Sequence, residues 1–239
     1  MTPLDYYNEQ CKTGIIFEDP QQIIAIKYLQ KVYTNLLHEQ QKRKGIFSVF
    51  REAHLIKGVY LWGGVGIGKT FMMDCFYRCL PFPQKLRMHF HQFMQLVHDE
   101  LTKHQGEKDP LQAIAKNFAK QTYVLCFDEF FVSDITDAMI LGQLFKALFA
   151  NGVCLVTTSN VSTDNLYKTG LQRVQFLSTI DLLKKKTEFV NVLAVVANRL
   201  RWRTGRPLRA RARVRYGAHG RATSPQRRLA AAPTVIRQC

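Results

Sequence analysis

Val59-Tyr-Leu-Trp62 runs directly into Gly63-Gly64-Val65-Gly66-Ile67-Gly68-Lys69-Thr70, and this junction decides how the chain folds. The apolar residues Val59–Trp62 read as a buried strand, and the text from Lys69 to Leu80 reads as a helix. The loop between them fits G-x-x-x-x-G-K-[ST] in its required setting, strand before and helix after. Glycines let backbone N–H groups approach a phosphate closely, and the helix beginning near Lys69 adds its positive end. Lys69 is placed to reach β- and γ-phosphates, and the Thr70 hydroxyl to meet a Mg²⁺ ion. The stretch is therefore a nucleotide site.

Downstream, short apolar runs alternate with longer amphipathic ones. Leu86–Phe90, Tyr123–Phe127, Val153–Thr157 and Glu188–Val192 read as strands. His91–His104, Pro110–Lys120 and Ser133–Ala150 read as helices. Strands that are almost continuously apolar and separated by helices imply a parallel sheet covered on both faces. The fold class is α/β. Upstream, residues 20–44 read as one amphipathic helix, with Ile23, Ile26, Leu29, Tyr33, Leu36 and Leu37 on one side. Asp19 is its expected cap, Pro20 its first residue and Gln22 the capping-box partner. Lys42, Arg43 and Lys44 suit its C-terminal dipole, and Gly45 its end.

Two further strand ends carry polar residues. Tyr-Val-Leu-Cys-Phe ends in Asp128-Glu129, where one carboxylate can hold magnesium and its neighbour can polarise a water that attacks the γ-phosphate. An Asp-Glu pair rather than D-x-x-G, and the absence of N-K-x-D, speak against a GTPase and for ATP. Leu-Val-Thr157-Thr-Ser ends in Asn160. All strand ends of a parallel sheet gather at one edge, so Asn160 is expected to face the same phosphates and to orient water or sense the γ-phosphate. Arg173 follows in Gly170-Leu-Gln-Arg173, where a guanidinium can be offered to a neighbouring subunit's γ-phosphate or can be an ordinary surface charge. His89 and His91 flank Phe90. Alternation puts them on one strand face, as a metal pair or, more simply, as strand-end polar groups.

Composition sets outer bounds. With 239 residues, 46% hydrophobic and 22% charged, the chain can bury a sizeable core. It contains no apolar run of spanning length. MTPLDYYNEQC shows neither a secretory signal nor an Arg-rich presequence. The six cysteines (Cys11, Cys75, Cys79, Cys126, Cys154 and Cys239) are scattered without a C-x-x-C pair, as expected for reduced, buried thiols. The formal charge of +16 is unevenly spread. Residues 193–239 hold 12 of the 34 basic residues, all Arg, and no acid, leaving 34 − 12 = 22 bases against 18 acids before them, a net +4. This Arg-rich tail reads as a basic arm for phosphate backbones, as a fold of unreadable pattern, or as a non-homologous ending such as a shifted reading frame produces. The abrupt change of usage favours the last. The organisation expected is an N-terminal helical extension over 1–57, a P-loop core over 58–192 and the atypical tail over 193–239.

YLWGGVGIGKTFMMDCF, HFHQFM, CFDEFFVSDITDAMILGQLF, TTSN and LYKTGLQRVQFL, in that order, resemble a family of AAA+ ATPases. It includes bacterial cell-division proteins of the ZapE type and lactation-elevated mitochondrial ATPases. The resemblance runs from about residue 4 to residue 192. It implies that Gly63–Thr70 is the Walker A loop, Asp128 and Glu129 Walker B, Asn160 sensor 1 and Arg173 an arginine finger. It also implies ATP and Mg²⁺ as ligands, a homo-oligomer (a hexamer) hydrolysing ATP between subunits, and cytoplasmic work on protein partners of the division apparatus, peripheral to the division site. After Val192 the family continues into further strands and a helical lid. No residue of the tail matches that lid, so nucleotide binding is expected to survive better than turnover. The competing function is a nucleic-acid-binding ATPase of the replication-loader kind, gripping DNA through the tail. Salt-dependent DNA binding that vanishes on deleting 193–239 would mark it. A P-loop small-molecule kinase fits less well, for want of a phosphoacceptor-binding lid.

Overall fold

The structure is a computed structural model, and it describes residues 1–43 and 56–192. Five strands form one parallel sheet: β1 (Gly58–Trp62), β2 (Lys85–His89), β3 (Val124–Asp128), β4 (Cys154–Ser159) and β5 (Thr187–Asn191). Their spatial order is β2-β3-β4-β1-β5. The helices are α1 (Pro3–Lys12), α2 (Pro20–Arg43), α3 (Lys69–Cys79), α4 (Phe90–Lys103), α5 (Pro110–Gln121), α6 (Ile135–Ala150) and α7 (Arg173–Lys186), with a 3₁₀ turn at Thr163–Asn165. This is a P-loop NTPase fold of the AAA+ type with an N-terminal helical extension.

Strand residues alternate between two cores, as a pleat of period two requires. Val59, Leu61, Val124, Cys126, Cys154 and Val156 face α1, α2 and α3, among Tyr7, Ile26, Leu29, Met72 and Phe76. Tyr60, Leu125, Phe127 and Leu155 face α4 to α7, among Phe93, Phe130, Phe145 and Phe176. Full burial of each such aromatic side chain contributes roughly 1.5–3 kcal/mol. Phe127, Phe130 and Phe145 stack on one another with ring centroids 6.1–6.5 Å apart. They fix α6 against the strand that ends in Asp128.

The strands fall within one or two residues of their sequence-based limits, but two helices were not anticipated. In α1, Thr2 Oγ1 accepts from the Asp5 N–H at 3.2 Å, and Asp5 accepts from the Thr2 N–H at 3.1 Å, a reciprocal cap in front of Pro3. In α7, Phe176, Ile180 and Leu183 are buried while the apolar Val174 and Leu177 are exposed, so the stripe that packs is narrower than the apolar text. Asp19 caps α2 as expected, accepting from the Gln21 and Gln22 N–H groups. Gln22 does not complete a capping box; its amide donates instead to the Ile67 carbonyl, at 3.1 Å. His89 and His91 do not share a strand face, because β2 ends at His89 and His91 lies in α4; their rings stack at 5.8 Å. Among the described residues no group of three or more His, Cys, Asp or Glu is arranged for a metal.

Among the described residues five cysteines are free thiols; burial pushes Cys75 and Cys154 up to about 12 and raises Cys126 further still. Among the described residues no helix is long and apolar enough to cross a membrane. The expected end of α2 at Lys44–Gly45, the tail over 193–239 with its expected lack of a lid, and Cys239 lie outside the described residues.

Candidate active site

The strand register sets the site. His89 pairs with Asp128, and Trp62 with both Ser159 and Asn191, so the carboxyl ends of all five strands finish near one level. At that edge the loop Gly63–Gly68 leaves β1. A Cβ on Gly63 would lie 2.3 Å from the Val192 carbonyl oxygen and 2.6 Å from Ile67, so only glycine fits there. Gly68 holds φ +87° immediately before α3, a left-handed turn that glycine adopts at no steric cost. The loop's amides can thus face an anion at the helix N-terminus.

A cavity of about 260 Å³ opens over this loop, lined by Val65, Gly66, Gly68, Lys69, Thr70, Phe71, Asp74, Glu129, Thr158, Ser159 and Asn160. Size does not single it out. A groove of about 690 Å³ between α6 and α7, walled by Met139, Gln143, Lys146 and Gln175, gathers none of the motif residues.

Lys69 is buried, and its ammonium donates to the Gly63 and Gly64 carbonyls at 2.8 and 2.6 Å. Two of its three N–H donors are so used, which leaves one for a phosphate oxygen. Burial pulls its pKa below the ordinary value, and the Glu129 carboxylate nearby pushes it back up. Glu129 holds φ +55°, a conformation that costs a non-glycine residue of order 1–3 kcal/mol and clusters at functional sites. Its N–H donates to Thr158 Oγ1 at 3.2 Å, and the next N–H, of Phe130, donates to the Thr158 carbonyl at 2.7 Å. The neighbouring strand β4 thus holds the strained turn, while the Glu129 side chain stays 75% exposed on the cavity wall. A carboxylate so placed can take a proton from an attacking water.

Asp128 is buried and does not line the cavity. Arg87 holds it, with Nε donating to Oδ2 at 2.7 Å and Nη2 to Oδ1 at 3.3 Å. The third guanidinium nitrogen, Nη1, donates to Asp74, which lies on the cavity wall. The Thr70 hydroxyl and the Asp74 carboxylate on the cavity wall are oxygen donors, the chemistry a hard Mg²⁺ ion selects, and Asp128 stands behind them on Arg87. The residues present fit that ion.

Arg173 is not among the cavity residues. As the first residue of α7 it donates to the Leu166 and Asp164 carbonyls at 3.0 and 2.6 Å, bracing the 3₁₀ turn. The structure therefore brings Lys69, Thr70, Glu129 and Asn160 together, ties Asp128 to them through Arg87 and Asp74, and leaves Arg173 apart. Arg87 was missed in the sequence although a signal existed: a charge inside a strand covered on both faces requires a partner.

Comparison with known proteins follows the same lines. A family model described as AFG1-like ATPase matches residues 1–224, a span that runs past Val192 into the Arg-rich segment. The cell division protein ZapE of Escherichia coli K12 is 47% identical over 213 residues, covering 84% of this chain and 57% of that protein. Lactation elevated protein 1 homolog B of Danio rerio is 43% identical over 150 residues, covering 58% of this chain and 30% of that protein. The chain thus spans just over half the length of ZapE. Among solved structures, that of DnaI superposes with TM-score 0.50 at 15% identity, covering 75% of this chain and 89% of that one. A DNA replication initiation factor gives 0.50 at 12%, covering 74% and 47%. At these identities the likeness is one of fold.

Proposed function

The chain belongs to the AFG1-like ATPase family, and from that premise we propose that it binds ATP with Mg²⁺ over Gly63–Thr70, hydrolyses it, and uses the turnover to remodel protein partners of the bacterial division apparatus. One observation carries the chemical part. Lys69, Thr70, Glu129 and Asn160, up to 91 positions apart in sequence (160 − 69), line a single cavity at the carboxyl edge of the sheet.

The roles follow from placement. Amides of Gly63, Gly64, Val65, Gly66, Ile67 and Gly68 cradle the phosphates, and Lys69 reaches the β- and γ-oxygens with its remaining donor. Thr70 would hold Mg²⁺ directly and Asp128 through water, and the ion when bound would supply positive charge to the phosphates. Glu129 takes the proton of the attacking water, and the Asn160 amide orients that water. Arg173, which does not line the chain's own cavity, serves the γ-phosphate of a neighbouring copy in a ring, a hexamer by family likeness. A cytoplasmic location, peripheral at the division site, suits this work. The loader-like alternative rests on the tail, and a salt titration of DNA binding with and without residues 193–239 separates the two.

Lys69→Ala tests the reading directly. The variant is expected to lose ATP hydrolysis and most nucleotide affinity. Wild-type affinity and turnover in it would remove the loop from the mechanism.

A further inference from the structure

Gln22 lies 45 residues before the loop it touches, on the first turn of α2. It is only 5% exposed, its Nε2 donates to the Ile67 carbonyl at 3.1 Å, and its Oε1 accepts from nothing. A buried amide oxygen without a donor carries its full desolvation penalty, a cost that a methionine in the same place would not incur. What offsets that cost is the one bond Gln22 makes.

That bond fixes a peptide plane. Among the described residues no peptide bond is cis, and in a trans peptide the C=O and N–H point to opposite sides. With the Ile67 carbonyl drawn back toward α2, the N–H of the same peptide unit, carried by Gly68, is turned away from α2. Gly68 lines the cavity and stands immediately before α3. The Gly63 and Gly64 carbonyls are held by Lys69, from within the motif, whereas the Ile67 carbonyl is held from outside it.

The first turn of α2 is a firm place to hold from. Asp19, which caps it, donates its own N–H to the Tyr7 hydroxyl at 3.2 Å. Tyr7, fully buried in α1, sets its ring 6.3 Å from that of Phe71, a cavity residue on α3. Two contacts thus back the loop and the start of α3 together, and neither Gln22 nor Tyr7 lines the cavity itself.

Resting on the ATP reading above, we propose that Gln22 is a positioning residue of the nucleotide site, pinning the Ile67–Gly68 peptide so that the Gly68 N–H is presented to a phosphate before the nucleotide arrives. The N-terminal helical extension thereby sets the affinity of the phosphate loop without touching the nucleotide. A donor already turned to its ligand needs no reorganisation on binding, whereas one on a free peptide must first be ordered.

The test compares the full chain with its Gln22→Met variant, which keeps the side-chain length and loses the N–H. Three quantities are measured: equilibrium affinity for ATP with Mg²⁺, kcat at saturating ATP, and the unfolding midpoint without nucleotide. Affinity is expected to fall about tenfold, the worth of one well-made hydrogen bond. At saturation kcat is expected to stay unchanged, because the phosphate contact is made equally in the ground and transition states. The midpoint is expected to stay near that of the wild type, since relief of the unmet Oε1 offsets loss of the bond to Ile67. Wild-type affinity in Gln22→Met, or a lower kcat at unchanged affinity, would overturn the assignment. A lower midpoint with affinity intact would overturn it too, leaving Gln22 a packing residue only. Should Gln22→Met not fold, Gln22→Asn decides it: its amide is one methylene too short for Ile67, so the same loss is expected and wild-type affinity would again refute the proposal. Failure of the wild type to bind ATP would instead strike the ATP reading itself.

Discussion

Arg87 grips Asp128 through both carboxylate oxygens, at 2.7 and 3.3 Å, and with its remaining nitrogen holds Asp74. β2 and β3 are neighbours in register, and the side chains of Arg87 and Asp128 are 17% and 11% exposed, so the pair is shielded from competing water. Asp74 stands four residues after Thr70 on α3. One guanidinium thus fastens the helix behind the phosphate loop to the strand that ends in the acidic pair.

Replacing Arg87 by Met strands two carboxylates near each other, one of them buried. The expected loss is about 3–5 kcal/mol of stability, the usual consequence of breaking a buried pair. Arg87→Lys should recover part of it, since a single ammonium cannot match the fork. Denaturant unfolding of both variants checks this; equal stability of Met and wild type would show the pair to be energetically idle.

Glu129→Gln keeps shape and loses basicity. Hydrolysis should slow by about a hundredfold or more while ATP and Mg²⁺ remain bound. Loss of nucleotide by the slow variant would make Glu129 structural and place the base elsewhere.

Gly63→Ala drives a methyl to within 2.3 Å of the Val192 carbonyl oxygen, whereas Gly64→Ala meets nothing within 4 Å. The first should cost about 1–3 kcal/mol of stability and the second within about 0.5. Parallel unfolding curves that coincide for the two variants would contradict this contrast.

Cys154 supplies a pH signature. Burial raises its thiol from an ordinary 9.0 to about 12, so the native state holds a proton that the unfolded chain releases above pH 9. The associated stability is complete below pH 9 and is lost as pH climbs toward 12, at up to about 1.4 kcal/mol per unit. Cys154→Ala should flatten the alkaline decline by about one proton's worth; an unchanged slope would show that Cys154 is not the titrating group.

The strand-and-helix alternation, and the edge on which the site lies, were legible because both follow from local pattern. Helix α7 was not legible, since Val174, Phe176, Leu177, Ile180, Leu182 and Leu183 spread around it and only packing decides that Phe176, Ile180 and Leu183 are the buried ones. The left-handed turn at Glu129 was invisible too. Glu is an unremarkable residue type for a loop, and what holds it there is Thr158, on another strand.

By itself the sequence determined that a strand runs through glycines into a helix beginning at Lys69, and that two later strands end in Asp128-Glu129 and beside Asn160. Each of those facts is written in contiguous residues with a period of two or a fixed spacing. Tertiary structure alone decided that Arg87 meets Asp128 across 41 positions, that Gln22 leaves its own helix cap for Ile67 across 45, and that Arg173 braces a 3₁₀ turn rather than lining the cavity. Such pairings are chosen by which polar groups the sheet and its helices bury side by side. A buried charge or amide takes the partner that packing delivers, and nothing in its neighbouring residues names that partner in advance.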